Sequence, residues 1–191
     1  MPTPTHTRRM ALRDKLILIA EARIVLGGPE ALRARELAKD AGCAVGAIYN
    51  SVKDMGELVH AVNERTFVKL ISTIAECNDV DALEELTNMA KAYHRFVQSN
   101  RSLWRVLFTT PDPAYKDWYQ AIFDQLQTHF ETTLERIQPN MDAQKRSQLA
   151  RATFAAIHGI VLLNYDEALS GMPPGQVDRL LVLTVKQLAS K

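Results

Sequence analysis

Apolar residues recur at helical spacing along almost the whole chain. Leu12, Leu16, Ile19, Ala20 and Ile24 share one face, which predicts a first helix over residues 9–26, stopped by Gly27-Gly28-Pro29. Two short helices follow, Arg35–Ala41 and Val45–Val52, separated by a turn that begins at Gly42. Asp54 and Glu57 form a capping-box pattern opening a long helix to about Cys77, and Asp81 and Glu84 repeat it for a helix to about Gln98. A short helix over Arg101–Phe108 is closed by Pro111, and Asp112-Pro113 sets a cap before proline for a helix reaching Ile137. Asn140 starts a long helix to about Ser170, and Pro173-Pro174 opens the last, to about residue 189. The expected fold is all-α with about nine helices, no internal repeat and no flexible linker.

Composition agrees with that pattern. The chain is 47% hydrophobic and 24% charged, and eight Gly and eight Pro are too few for a sandwich of short strands. Net charge is only +1, but it is unevenly spread: residues 1–53 hold nine Lys/Arg against five Asp/Glu, a net +4, which leaves −3 for the rest. A mildly basic head on a mildly acidic body hints at a polyanionic partner. Leu16–Ala20 and Gly159–Leu163 are among the longest apolar runs, far short of the ~20 residues of a membrane span. No membrane partner and no signal peptide are expected. Cys43 and Cys77 are isolated thiols without zinc-site or disulfide spacing, so a reducing, cytoplasmic setting is expected.

Residues 32–58, LRARELAKDAGCAVGAIYNSVKDMGEL, carry the most specific signal. Leu37, Ala38 and Ala41 give the first short helix an inner face, with small residues where a second helix must approach closely. Gly42 supplies the positive φ that ends it sharply. Ile48 and Val52 bury the second helix, leaving Val45, Gly46, Ala47, Tyr49 and Asn50 outward, a surface suited to a groove. Arg8, Arg9, Arg33 and Arg35 would meet phosphates, as would the Tyr49 hydroxyl and helix N-termini. Val45, Ala47 and Asn50 would face base edges. The alternative for each Arg is a solvated surface charge, and for Tyr49 a core tyrosine.

This segment resembles the DNA-binding head of the TetR family of bacterial transcriptional regulators. The match lies at Leu37, Ala38, Ala41, Gly42, Ala47, Ile48, Tyr49 and Leu58, with Gly28 where the family usually ends its first helix. Ala156-Ile157-His158-Gly159-Ile160 is similar to a Trp-His-Gly-type segment in one subgroup's ligand domain. Four positions depart from the family pattern. Ala44 stands where a hydroxyl often caps the recognition helix, Arg33 near a usual Thr/Ser cap, Val52 for Phe, and Met55 for a phosphate-contacting Lys that Lys53 could partly replace. The resemblance implies a helix-turn-helix DNA-binding domain over 1–53 and a ligand-binding and dimerisation domain over 54–191. It further implies a ligand-responsive regulator, a repressor, that binds a palindromic double-stranded operator as a homodimer and is released by a small molecule.

In the body, residues 93–123 are rich in aromatics, and Phe96, Trp104, Phe108, Trp118, His158 and Tyr165 are candidates for an effector pocket. Plain core packing is the alternative for most of them. The last two helices carry stripes at Ala152, Ala155, Ala156, Gly159, Ile160 and Leu163, and at Val177, Leu180, Leu181, Thr184 and Leu188. Of these, Ala155, Gly159, Ile160, Leu163, Leu180, Leu181 and Thr184 are the candidate dimer interface, unless both stripes pack inside one chain. No catalytic residues, metal or cofactor are expected: there is no H-E-x-x-H, no Gly-rich phosphate loop and no G-x-S-x-G, and His60 with Glu64 reads as an exposed pair. Other possibilities are a helical small-molecule carrier without DNA binding and a small helical enzyme.

Overall fold

Aspartate side chains open three of the long helices, those that begin at Met55, Ala82 and Ala143. The computed structural model describes residues 4–109, 112–165, 172–173 and 175–190. Among them are nine α-helices and no strand: α1 Pro4–Gly27, α2 Ala34–Ala41, α3 Val45–Ser51, α4 Met55–Ala75, α5 Ala82–Ser99, α6 Arg101–Thr109, α7 Lys116–Ile137, α8 Ala143–Tyr165 and α9 Gln176–Ala189. Short 3-10 turns cover Pro29–Ala31 and Pro113–Tyr115. The all-α expectation holds. The expected extension of α8 to Ser170, the stop at Pro111 and the start at Pro174 lie outside the described residues.

The caps refine the expected starts. Asp54 Oδ1 accepts from the Glu57 amide at 2.8 Å, but Glu57 Oε2 reaches the amide of Lys53 at 2.7 Å, one residue before the box. Asp81 Oδ1 accepts from Leu83 and Glu84 amides at 2.8 and 3.0 Å, while Glu85 rather than Glu84 reaches back, to the Asp79 amide at 3.1 Å. Asp112 caps only a 3-10 turn, through the Ala114 amide at 2.9 Å, and α7 begins after it. Asp142, not Asn140, opens α8, its carboxylate accepting from the Lys145 amide at 3.1 Å. The first helix begins five residues earlier than its apolar face requires, at Pro4.

Packing divides the described residues into two compact units, those within 1–68 and 100–116 and those within 69–99 and 117–191. The division falls inside α4. In the first unit, Leu16, Ala20 and Ile24 of α1 meet Leu37 and Ala38 of α2, Ile48 of α3 and Leu58 and Val62 of α4 in one apolar cluster. Leu103 and Val106 of α6 join this cluster, and Ser102 Oγ donates to the Val25 carbonyl at 3.4 Å. Each fully buried Leu or Ile contributes about 1.5–3 kcal/mol of transfer free energy. In the second unit α9 lies against both α5 and α8. Its inner stripe is Val177, Leu181, Val185 and Ala189 at four-residue steps. Among the described residues no helix is long and apolar enough to cross a membrane.

Candidate nucleic-acid interface

The turn between α2 and α3 is built on one glycine. Gly42 has φ +68 and ψ +37; its amide bonds the Lys39 carbonyl at 3.2 Å, and the Cys43 amide bonds the Ala38 carbonyl at 2.9 Å. That pair of bonds closes α2 and turns the chain within three residues. Lys15 on α1 donates its ammonium to the Ala41 carbonyl at 2.8 Å, satisfying a further acceptor of the last turn. Neither short helix is capped by a side chain: Arg33 and Ala44 stand at the N-caps of α2 and α3 with no side-chain cap bond. The two departures from the family pattern therefore have the local effect that their residue types dictate.

Only Ile48 of α3 is buried, with Val52 enclosed just past its end. Ala44, Val45, Gly46, Tyr49 and Asn50 are exposed, Tyr49 to 50%, so Tyr49 is no core residue. Ala47 is half-buried, the least accessible of the expected reading residues. A Cβ added at Gly46 would meet nothing within 4 Å.

The cations of residues 4–68 fall into two groups. Arg13 pairs with Glu57 at 3.3 Å, Arg65 with Glu21 at 2.9 Å, and Arg23 with Asp40 at 2.7 Å and Glu36 at 3.4 Å. These, with Lys15, tie helices to one another. Arg8, Arg9, Arg33, Arg35 and Lys53 are exposed and make no ion pair with any described residue. The framework thus consumes acidic charge in pairs and leaves its surplus positive charge on side chains that flank α1, α2 and α3. Lys39, exposed on α2, belongs with them, although the sequence pattern does not single it out.

The body residues separate differently. Ala155 and Leu163 are exposed, Leu163 to 57%, Gly159 and Ile160 are half-buried, and Leu180 is exposed on α9. Leu162 and Leu183, exposed to 43% and 64%, extend these faces. Leu181 is a correction: it is 0% exposed within its own chain, on the inner stripe of α9, and is unavailable to a second chain. Thr184 is half-buried.

Of the pocket candidates, Trp104 and Phe108 lie in the first unit, with ring centroids 5.3 Å apart, and Phe108 is 6.1 Å from Phe67. Phe96, Trp118, His158 and Tyr165 lie in the second. His158 Nδ1 is 2.7 Å from the Tyr93 hydroxyl, and burial pushes the imidazole below its ordinary range. Around it, Phe154 has Tyr93, Phe123, Phe130 and His158 at centroid distances of 5.5, 6.2, 5.8 and 5.8 Å.

Two arrangements escape the sequence pattern because their partners are distant in the chain. His60 is not an exposed pair with Glu64: its side chain is 11% exposed and stacks on Tyr115 at 3.6 Å, with Glu64 3.9 Å away. Burial lowers its pKa, against the pull of Glu64, Asp112 and Glu57. In the second unit, buried Glu85 accepts from Arg136 at 2.5 Å and from Thr133 at 2.8 Å, while Arg136 also donates to the Asp79 and Val80 carbonyls. Three further buried atoms of that unit, His94 Nε2, Gln127 Oε1 and Thr153 Oγ1, have no hydrogen-bond partner among the described residues. No group of three His, Cys, Asp or Glu among the described residues is placed to hold a metal ion.

The profile described as "Tetracyclin repressor-like, C-terminal domain" matches residues 86–188. No curated protein matches the sequence. Solved structures share the fold. A Rhodococcus sp. RHA1 protein of unknown function is 22% identical with a TM-score of 0.77, 94% of each chain being covered. A tetR-family transcriptional regulator from Streptomyces coelicolor is 16% identical with a TM-score of 0.74, over 94% of this chain and 79% of that one. A transcriptional regulator of Aquifex aeolicus VF5 is 17% identical with a TM-score of 0.65, over 93% and 99%.

Proposed function

The chain belongs to the tetracycline-repressor-like family of DNA-binding transcriptional regulators, and on that premise we propose that it is a ligand-released repressor acting as a homodimer on a two-fold operator. The observation that carries the proposal is the outward face of α3 beside cations left unpaired by the framework. Arg8, Arg9, Arg33, Arg35 and Lys53 neutralise phosphates, Tyr49 donates its hydroxyl to one, and the uncapped amides at the start of α2 add neutral donors. Ala44, Val45 and Gly46 pass close to the groove floor, while Asn50 and Ala47 read base edges. The division of labour is 1–53 for reading DNA and 54–191 for effector and partner, with α6 and the first half of α4 also completing the core beneath α3.

One seven-residue helix reads too few base pairs, so two copies engage half-sites about 34–36 Å apart. The exposed and half-buried stripes of α8 and α9, Ala155, Gly159, Ile160 and Leu163 with Leu180 and Thr184, supply the isologous contact. Leu162 and Leu183 join them. Release works through α4, whose first half supplies Leu58 and Val62 to the head's core while Lys69–Ala75 belong to the second unit. A displacement of that second half re-aims the head without touching a DNA-contacting residue. The effector is a small molecule held by body residues such as Phe96, Trp118, His158 and Tyr165. No catalytic step or cofactor enters this cytoplasmic function.

The test is selection of duplex fragments from genomic DNA, followed by mobility shift across a salt series. Affinity should fall with log salt by about 0.9 per phosphate neutralised. A protein that selects no duplex at low salt sinks the proposal. Leu163→Asp, read by light scattering, should break the dimer, and a wild-type chain that is monomeric at micromolar concentration removes the two-half-site arrangement.

A further inference from the structure

Native packing rarely leaves a buried carbonyl acceptor without a donor. Gln127 breaks that rule. Its side-chain oxygen is buried and has no partner among the described residues, and the residue is only 9% exposed. On α7 it follows Phe123 by four residues and precedes Phe130 by three, so all three share one helical face. Both phenylalanines stand edge-on to Phe154 of α8, at 6.2 and 5.8 Å. The same ring meets Tyr93 and His158, whose hydroxyl and Nδ1 satisfy each other at 2.7 Å. The face therefore combines aromatic rings, one internally satisfied polar pair and one acceptor that no described residue serves.

We propose that Gln127 is the polar anchor of the effector site, and that the effector is an uncharged aromatic molecule bearing a hydrogen-bond donor, a phenol in the simplest case. Its ring packs against Phe123 and Phe154, and its hydroxyl donates to Gln127 Oε1. Charge decides the class. None of the six residues is an Asp, Glu, Lys or Arg, and burial disfavours the charged form of the His158 imidazole. An arenecarboxylate would bring a negative charge to a carbonyl oxygen with no cation among these residues. An ammonium would find no carboxylate. An aromatic ether fits the rings but leaves the acceptor unserved. This inference rests on the body being the effector-binding part of the regulator proposed above.

The experiment is calorimetric titration of the full chain, without DNA, with 2-naphthol, 2-methoxynaphthalene and 2-naphthoate. Binding of 2-naphthol should be at least tenfold tighter than either of the others. Gln127→Leu keeps the volume and deletes the acceptor. It should weaken 2-naphthol at least tenfold, leave 2-methoxynaphthalene unchanged and raise the melting temperature of the ligand-free protein. Equal affinity for the naphthol and its methyl ether, tighter binding of the naphthoate, or no binding of any probe overturns the proposal. So does a Gln127→Leu variant that melts lower or retains naphthol affinity. Mobility shift with selected operator DNA is run separately: naphthol binding through Gln127 in a protein that shifts no DNA refutes the regulator while leaving the site intact.

Discussion

Beneath α1, α2 and α3 the packing is apolar: the buried polar side chains of this unit, Asn63 and Thr66, and half-buried His60 all stand on α4, while Arg13, Lys15, Arg23 and Arg65 tie helices together from the rim. In the second unit a carboxylate, Glu85, two histidines, His94 and His158, and the side chains of Gln127, Thr133 and Thr153 are enclosed or half-enclosed among helices. A core of hydrocarbon holds its shape without regard to what binds outside, which suits the reading role proposed for α3. A core with polar groups inside has a discriminating interior, at some cost in stability wherever a group lacks its partner.

Substitutions on either side test this contrast. The largest effect is expected at Ile48, the fully buried residue of α3: Ile48→Ala should cost about 2–5 kcal/mol in chemical denaturation and abolish operator binding, because little else holds α3 down. Next is Glu85→Ala, which removes the carboxylate from Arg136 and Thr133 but leaves Arg136 its Asp79 and Val80 carbonyls and Thr133 its His129 carbonyl, so it should cost only about 1–2 kcal/mol, Arg136 being 41% exposed. An unchanged denaturation midpoint would show that the buried carboxylate is dispensable. Gly42→Ala should cost about 1 kcal/mol purely through φ +68, since a Cβ there meets nothing within 4 Å.

Acid should act on both units with the same sign. His60 and His158 have folded pKa values below the ordinary 6.5, each chiefly through burial. The unfolded chain therefore takes up the proton first as pH falls. The stability each neutral imidazole confers is present above pH 6.5 and is lost as pH falls through the folded pKa. Denaturation midpoints should drop as the medium is taken from neutral into mild acid, and His158→Phe should flatten part of that drop. The smallest stability change belongs to Arg9→Ala, within about 0.5 kcal/mol, although it should weaken binding to every duplex and reduce the salt slope by about 1. An Arg9 variant that melts early would show that the residue is part of the framework after all.

What the sequence discloses depends on how local the determining contact is. The faces of α3 are legible because one short helix buries Ile48 and leaves Tyr49 and Asn50 out, and a 3.6-residue period reports that directly. Helix α9 is legible as a helix but not in orientation. It is apolar on the Val177–Leu181–Val185 stripe and again at Leu180 and Leu183, and periodicity cannot say which stripe meets a neighbour. His60 misleads because its i+4 neighbour Glu64 is visible in sequence, whereas the ring on which it stacks belongs to Tyr115. Glu85 and Arg136 are separated by 51 residues and fall to the same limit. The α6 contribution to the head is likewise nonlocal; its Leu103-Val106-Leu107 spacing announces a buried face but not which core it enters.

That contribution has a consequence during synthesis. Helices α1–α4 precede α6 in the chain, yet their shared core stays incomplete until Leu103 and Val106 have emerged, after all of α5 has been made. At about 5–20 residues per second, the nascent head waits several seconds with part of its apolar cluster open to water and chaperones. A chain truncated after Ala75 should therefore remain protease-sensitive, and one truncated after Lys116 should become resistant over residues 1–68, making α6 the latch that closes the cluster beneath α1, α2 and α3.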